Sequence, residues 1–373
     1  MSINEKVIVF PYNLEFSPII RHKDLLKNLT IVGLVSPIGW GFNGKDACTA
    51  DGGSEINKIV SCDFEGLLNK CDTVIICNSR DPLDFKCEIY PNIIKAISCR
   101  KNIICLISLE DENKAEIKRL CNENNVYFKY LYSNRKKSYN TGGIEKLFKI
   151  ETPIVFVIGT TIRTSKFEIQ LNIKEGLLNI GYKISQIGSR DYCDLLGFHS
   201  FPGFMYDNNL NEAQKIVLFN NYVKRIEYDE KPDLIIIGIP GGIMKINDTF
   251  TNNFGIFAYE VSQAVSPDYV ICSTLYEEYT NEYFIRLANS VKYKLGFEVD
   301  CFNFANVKLD WVKSNEQNSE VYVSLDSRFI NKEKKRYRGL DIPLYNIFSM
   351  NDSQVIISDI VKKLSEYSEI GAI

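Results

Sequence analysis

Two stretches of this chain pair glycine with lysine in the manner of loops that hold phosphate. The first, VSPIGWGFNGKDA (residues 35–47), sets Gly39, Gly44 and Lys45 at the G-x-x-x-x-G-K spacing, and Gly39, Gly41 and Gly44 at the spacing of a dinucleotide fingerprint. Such loops work where backbone N–H groups converge with the N-terminus of a helix. Lys45 is succeeded by DACTADGGSE, which has no apolar periodicity, so no helix is expected to open there. Asp46 also stands where a hydroxyl would bind magnesium, and its charge repels a polyphosphate. The stretch therefore reads as a glycine-rich surface turn, with Trp40 and Phe42 placed to line a cleft. The first βα turn, residues 11–17, has no glycine, which argues against a dinucleotide site in the front half.

The second stretch, VIGTTIRTSKFEIQ (residues 157–170), fails the motif but has the right surroundings. Ser165 stands where glycine is expected, and five residues separate it from Gly159. Gly159 closes a continuous apolar run, and Lys166 opens a segment with Ile169, Ile173, Leu177 and Ile180 at helical spacing, closed by Gly181. The hydroxyls of Thr160, Thr161, Thr164 and Ser165, the loop amides, the positive helix end, Lys166 and Arg163 could all face one anion. The alternative is that Ser165 caps the helix and Lys166 is solvated.

Ligands of open α/β sheets collect beyond the carboxyl ends of strands. By that rule Arg190 and Asp191, the Gly241-Gly242 turn, and Glu277 and Glu278 could share one mouth with Lys166. Arg190 would add an anion contact, and Asp191, Glu277 or Glu278 would be candidate bases, although a solvated loop carboxylate is the ordinary role. Cys193 and His199 are close enough in sequence for a nucleophile pair but lack a third orienting group. They read as a packed cysteine beside a surface histidine. His22 reads as a helix-surface residue, and Lys332-Glu333-Lys334-Lys335-Arg336-Tyr337-Arg338 as a solvated basic loop.

The elements that must position these groups can be placed from the apolar runs. Strands are expected at residues 6–12, 29–37, 72–78, 102–108 and 126–132, with helices at 64–71, 91–100 and 111–124. Residues 133–152 are polar enough for a linker around one amphipathic turn at 144–148. Strands are then expected at 154–160, 183–188, 233–240, 269–275 and 298–306. The matching helices fall at 165–180, 211–228, 255–265 and 281–295, with a tail strand at 321–325 and a closing helix at 353–367. Alternation of this kind implies parallel pairing through right-handed crossovers. The expectation is an α/β protein of two doubly wound, mainly parallel-sheet domains: a Rossmann-like domain (1–132), the linker (133–152), and a degenerate P-loop-like domain (153–373). The loop at 159–166 would face a cleft between them.

Composition narrows the function classes. With 45% hydrophobic and 24% charged residues and a net charge of -3, the chain has no global attraction for nucleic acid or anionic lipid. No long leader or membrane-length apolar run is seen, so the reading is cytoplasmic. Eleven cysteines without a C-x-x-C pair and two histidines support neither a disulfide framework nor a metal cluster, so no metal is assigned.

The second stretch resembles the P-loop domain of the D-glutamate N-acetyltransferase-like family, whose loop runs Gly-Thr, four residues, then Gly-Lys. Gly159, Thr160 and Lys166 match, and Ser165 departs. The similarity continues through residues 183–190, 231–244 and 266–273, and the front half resembles that family's N-terminal domain. Within this neighbourhood the whole sequence, including GWGFNGKD and GTTIRTSKF, is most similar to the peptide maturation system proteins. These accompany small ribosomal peptide precursors and a radical SAM enzyme in anaerobic Gram-positive bacteria. The resemblance implies an accessory protein of ribosomal peptide natural-product maturation, with a precursor peptide and a radical SAM maturation enzyme as partners and with ATP, GTP or acyl-CoA as ligand. If the chain is an enzyme, N-acyl transfer or ATP-dependent activation of a carboxylate is expected. A non-catalytic scaffold is the alternative, and a homo-oligomer is compatible with either. Two departures weaken hydrolysis: Phe167 succeeds Lys166, and Gly238 stands where the related family has an acid. Asp233 lies at the wrong end of its strand to compensate.

Overall fold

The computed structural model describes residues 4–79, 83–132, 146–190 and 192–370. The chain divides into two compact units, each built on one mainly parallel sheet. In the first, β1 (Glu5–Phe10), β2 (Leu29–Val35), β3 (Val60–Ser61), β4 (Thr73–Ile76), β5 (Asn102–Cys105) and β6 (Phe128–Tyr130) lie in the order β3-β2-β1-β4-β5-β6. All five pairings are parallel. This is the strand order of a doubly wound dinucleotide-type sheet. The central runs Val7–Phe10 and Thr73–Ile76 are buried on both faces, which is why they read as unbroken apolar stretches. Helices α1 (Ser17–Arg21), α2 (Phe64–Leu68), α3 (Tyr90–Ser98) and α4 (Asp111–Glu123) connect the strands. Neither α1 nor the two-residue β3 has enough length to leave a periodic signal. His22 ends α1 and is only 5% exposed, so the expectation of a surface histidine is corrected.

The second unit holds β7 (Ile154–Gly159), β8 (Ile184–Gly188), β9 (His199–Ser200), β10 (Leu234–Gly238), β11 (Tyr269–Thr274), β12 (Cys301–Phe304) and β15 (Leu344–Tyr345). Their order is β15-β12-β11-β7-β10-β8-β9, with every pair parallel. A separate antiparallel pair joins β13 (Val307–Leu309) to β14 (Tyr322–Ser324), so the expected tail strand belongs to a hairpin outside the main sheet. The helices are α5 (Lys166–Asn179), α6 (Glu212–Glu230), α7 (Ile256–Ala264), α8 (Asn281–Leu295), α9 (Trp311–Gln317), α10 (Ser327–Glu333) and α11 (Met350–Ile370). Strand side chains such as Phe156 and Ile158 are fully buried, and each such burial stabilises by roughly 1.5–3 kcal/mol.

Three local expectations change. Helix α5 is buried nearly all round instead of amphipathic: Ile180 lies beyond its end and is exposed, whereas Lys166, Glu168, Gln170 and Lys174 are buried. The cause is α11, which packs so closely that a Cβ on Gly176 would meet Ile357 at 2.1 Å. Residues 332–337 are helical in place of a loop, because Ile330 and Tyr337, two turns apart, are both buried and Lys334 pairs with Asp352. Of the expected turn at 144–148, only 146–148 is described, and it is not helical. Asn220 of α6 holds it extended by accepting from the Phe148 amide at 2.7 Å and donating to its carbonyl at 2.9 Å. No helix among the described residues is long and apolar enough to cross a membrane.

Candidate functional site

The segment from Gly159 to Lys166 links β7 to α5 at the carboxyl edge of the sheet. Crossovers leave in opposite directions from β7, toward β8, and from its neighbour β11, toward β12, which makes this edge a topological switch point. Gly159 is needed there because a Cβ would lie 2.2 Å from Thr164 Oγ1 and 3.1 Å from Lys166 Nζ. The Thr160 amide still bonds to the Ser273 carbonyl at 2.9 Å, and after it the chain leaves the sheet. Arg163 and Ser165 then both adopt left-handed backbone, at φ 60° and 58°. For non-glycine residues this costs on the order of 1–2 kcal/mol each. Ser165 thus takes the conformation that glycine would supply, and its side chain does not cap the helix.

That twist leaves the amides unused. Among the described residues, none accepts a hydrogen bond from the backbone N–H of Thr161, Ile162, Thr164, Ser165, Lys166 or Phe167. Six unspent donors at the start of a fourteen-residue helix form a concentrated positive dipole.

Neighbouring loops fix this shape. Asn252 accepts from Thr161 Oγ1 at 2.9 Å and donates to the carbonyls of Thr160 and Met244 at 3.2 and 3.1 Å. Ser273 Oγ donates to the Thr164 carbonyl at 2.5 Å. The Ile243 amide bonds to the Gly159 carbonyl at 3.0 Å, and Gly242 passes so near that a Cβ would meet the Thr160 carbonyl at 2.6 Å. Gly241, at φ 76°, turns its carbonyl toward Lys166. Sequence reasoning found Gly241 and Gly242 but missed Ser273, the next-to-last residue of the adjacent strand, which could have been found by the switch-point rule. Asn252 left no signal, since it arrives from a run of left-handed residues, Asn252 to Gly255, with no regular pattern.

Lys166 is 7% exposed, and its ammonium donates to the carbonyls of Thr161 at 2.7 Å and Gly241 at 2.6 Å. Burial, with repulsion from Arg190 adding to it, lowers its pKa to about 7. Arg190 is half-buried with its guanidinium 5.9 Å from the Phe167 ring centroid, and Arg163 lies 5.1 Å from that of Tyr322 in β14. Thr160 reaches a further hydroxyl cluster: its Oγ1 lies 3.3 Å from that of Thr274, which is 3.4 Å from each of Tyr279 and Tyr283. The two tyrosine rings stack with centroids 3.8 Å apart.

The remaining candidates separate from this centre. Glu277 accepts from the Trp311 indole at 3.1 Å, Glu278 is exposed, and neither hydrogen-bonds to Lys166. Asp191 lies outside the described residues. Cys193 is fully buried with its thiol 3.1 Å from the Arg190 carbonyl, while His199 pairs with Glu230, so the two do not form a nucleophile pair. His199 is therefore held between β9 and α6 and is not a free surface residue. Among the described residues no three His, Cys, Asp or Glu side chains are grouped to hold a metal.

The Gly39 loop spends what the other loop keeps. Gly44 N bonds to Val60 O of β3 at 2.9 Å and Lys45 N to Phe42 O at 3.0 Å, so both amides are already taken. Asp46 accepts from the amides of Cys48, Ile56 and Lys58 at 2.9–3.0 Å. Partial burial would raise its pKa, but those three donors outweigh it and hold the carboxyl at about 2. Only a single 3-10 turn, Ala47–Ala50, comes after it.

No protein-family model matches the chain, and no curated protein matches it in sequence. Among solved structures, a DUF1611 family protein from Anabaena variabilis aligns with a TM-score of 0.62 at 12% identity, covering 96% of this chain and 100% of that one. At that identity the likeness concerns the fold alone. An apo-form GTPase from Pyrococcus abyssi (TM-score 0.27, 15% identity, 51% of this chain and 75% of that one) also aligns. So does the hydrogenase maturation factor HypB from Archaeoglobus fulgidus (0.29, 14%, 57% and 90%). Both scores are too low to carry an argument.

Proposed function

We propose that the Gly159–Lys166 loop binds the phosphate of a nucleotide or CoA-type ligand. One observation carries this reading: six unspent amides surround the N-terminus of α5 beside a lysine whose ammonium is buried. A buried cation and a cluster of unsatisfied donors each cost stability, and a phosphate guest relieves both. Gly159, Thr160, Thr161, Arg163, Thr164, Ser165, Lys166, Arg190, Gly241 and Gly242 are the proposed contacts. The test is to track the melting temperature with ATP, GTP and acetyl-CoA. A ligand at about a hundred times its Kd stabilises by roughly 2.7 kcal/mol, and Lys166→Ala is expected to erase that gain. No shift with any of the three would reject the proposal.

The resemblance to peptide maturation system proteins supports a finer reading, in which the chain serves ribosomal peptide maturation with a precursor peptide and a radical SAM enzyme as partners. If it is catalytic, N-acyl transfer suits a loop that positions a thioester close to an amine, because proximity alone lowers such a barrier. In that reaction the amine nitrogen bonds to the acyl carbon, the carbon–sulfur bond breaks, and free CoA thiol is released. Thiol release from acetyl-CoA in the presence of a precursor peptide measures it. Tight peptide binding without any ligand or thiol signal would favour a scaffold.

A further inference from the structure

Magnesium in a phosphate loop is held by a hydroxyl next to the lysine and by a carboxylate at the end of the neighbouring strand. Neither group is present here. Phe167 comes directly after Lys166 and packs its ring against Tyr192 and Phe198, with centroids 6.0 and 6.3 Å away. Strand β10, paired with β7, ends at Gly238.

The space beside Gly238 is already taken. A Cβ built there would lie 2.0–2.2 Å from the carboxamide of Gln170. Gln170 is fully buried, and its Nε2 donates to the Lys166 carbonyl at 3.0 Å and to Ser189 Oγ at 3.2 Å. Its Oε1 accepts from none of the described residues. A neutral amide is therefore locked where a carboxylate and its metal would sit, and no acid can be placed at 238 without evicting it. Positive charge is supplied by side chains instead: Lys166 in the loop, and Arg190, whose guanidinium lies 5.9 Å from the ring of Phe167, the residue next to Lys166. The nearest acid on the helix is Glu168, buried in the first turn of α5.

Building on the phosphate-binding reading, we propose that this site takes its phosphate as a bare anion, with Lys166 and Arg190 standing in for the divalent cation. That selects phosphate esters free of metal, of the coenzyme A type, over magnesium nucleotides.

Calorimetric titration of pyrophosphate, ATP and acetyl-CoA, each in EDTA and in excess magnesium, tests this. Binding in EDTA that magnesium leaves unchanged or weakens is the expected result. A gain of about tenfold or more on adding magnesium (about 1.4 kcal/mol) overturns this inference while leaving the phosphate reading intact. No binding in either buffer overturns both. Two variants sharpen the test, with the fold checked by melting. Arg190→Gln is expected to lose about tenfold or more in EDTA. Gln170→Glu supplies the missing carboxylate and is expected to make the same ligand magnesium-dependent. A folded Gln170→Glu protein that stays indifferent to magnesium removes Gln170 from the metal position.

Discussion

Lys166→Met tests the electrostatics on which the candidate site depends. In the wild type the ammonium goes from water to a 7%-exposed position, and its pKa falls from 10.5 to about 7. Because each pKa unit is worth about 1.36 kcal/mol, burial of this charge costs on the order of 5 kcal/mol at pH 7 and below. The side chain also satisfies two carbonyls. Hydrogen bonds from a charged donor contribute roughly 1.5–3 kcal/mol each, so the two effects nearly cancel at neutral pH and the sign of the stability change there decides nothing. The slope does decide. Between the folded and unfolded pKa values the unfolded chain binds the extra proton, so wild-type stability rises with pH across that window. Methionine has no proton to exchange. Urea unfolding of both proteins should therefore show the wild type gaining about 2–3 kcal/mol on Lys166→Met between roughly pH 7 and 9. Cysteine and tyrosine ionisation common to both chains cancels in the difference. A difference that is flat with pH would refute the placement of the charge.

Other perturbations draw on the same geometry. Gly159→Ala drives a methyl into Thr164 Oγ1 and against Lys166, and is expected to lose about 1–3 kcal/mol in urea together with any phosphate-dependent melting shift. Glu260 on α7 is fully buried, with Lys215 3.9 Å away. Burial raises its pKa from 4.5 to about 7, with Glu212 adding to this and Lys215 opposing it. Its stabilising share is complete below pH 4.5 and lost as pH rises through 7, so Glu260→Gln should gain about 1–3 kcal/mol on wild type between acid and roughly pH 8. In the Gly39 loop, Asp46→Ala should destabilise by about 1–3 kcal/mol because three amides lose their acceptor. By contrast, Lys45→Ala should leave the affinity for any phosphate ligand within about twofold, well under 1.4 kcal/mol.

The parallel sheets were legible because their central strands are buried on both faces, and runs such as residues 154–159 and 234–238 carry that burial as unbroken apolar sequence. The loop at residues 159–166 was legible as a turn from a buried strand into a helix, even though Ser165 replaces glycine. Conformation imposed by tertiary contact could not be read. Arg163 and Ser165 are not residues that announce left-handed backbone, and Asn252 reaches the loop through space. Strands of two residues, β3, β9 and β15, are shorter than any period. The glycine–lysine spacing at 39–45 was present with the Gly44 and Lys45 amides already bonded and no α-helix directly behind it, since a spacing says nothing about whether amides are left over. Residues 332–338 misled in the other direction, because their charges masked a helix pinned at Ile330 and Tyr337.

Both sheets finish in stubs. The outermost strands are β3 and β6 in one, and β9 and β15 in the other, none longer than three residues. A long bare margin invites a second chain to extend the ladder, and margins this short offer almost nothing to extend. Self-association of this protein, where it occurs, would have to be made through helices and side chains, not by splicing one sheet onto the next.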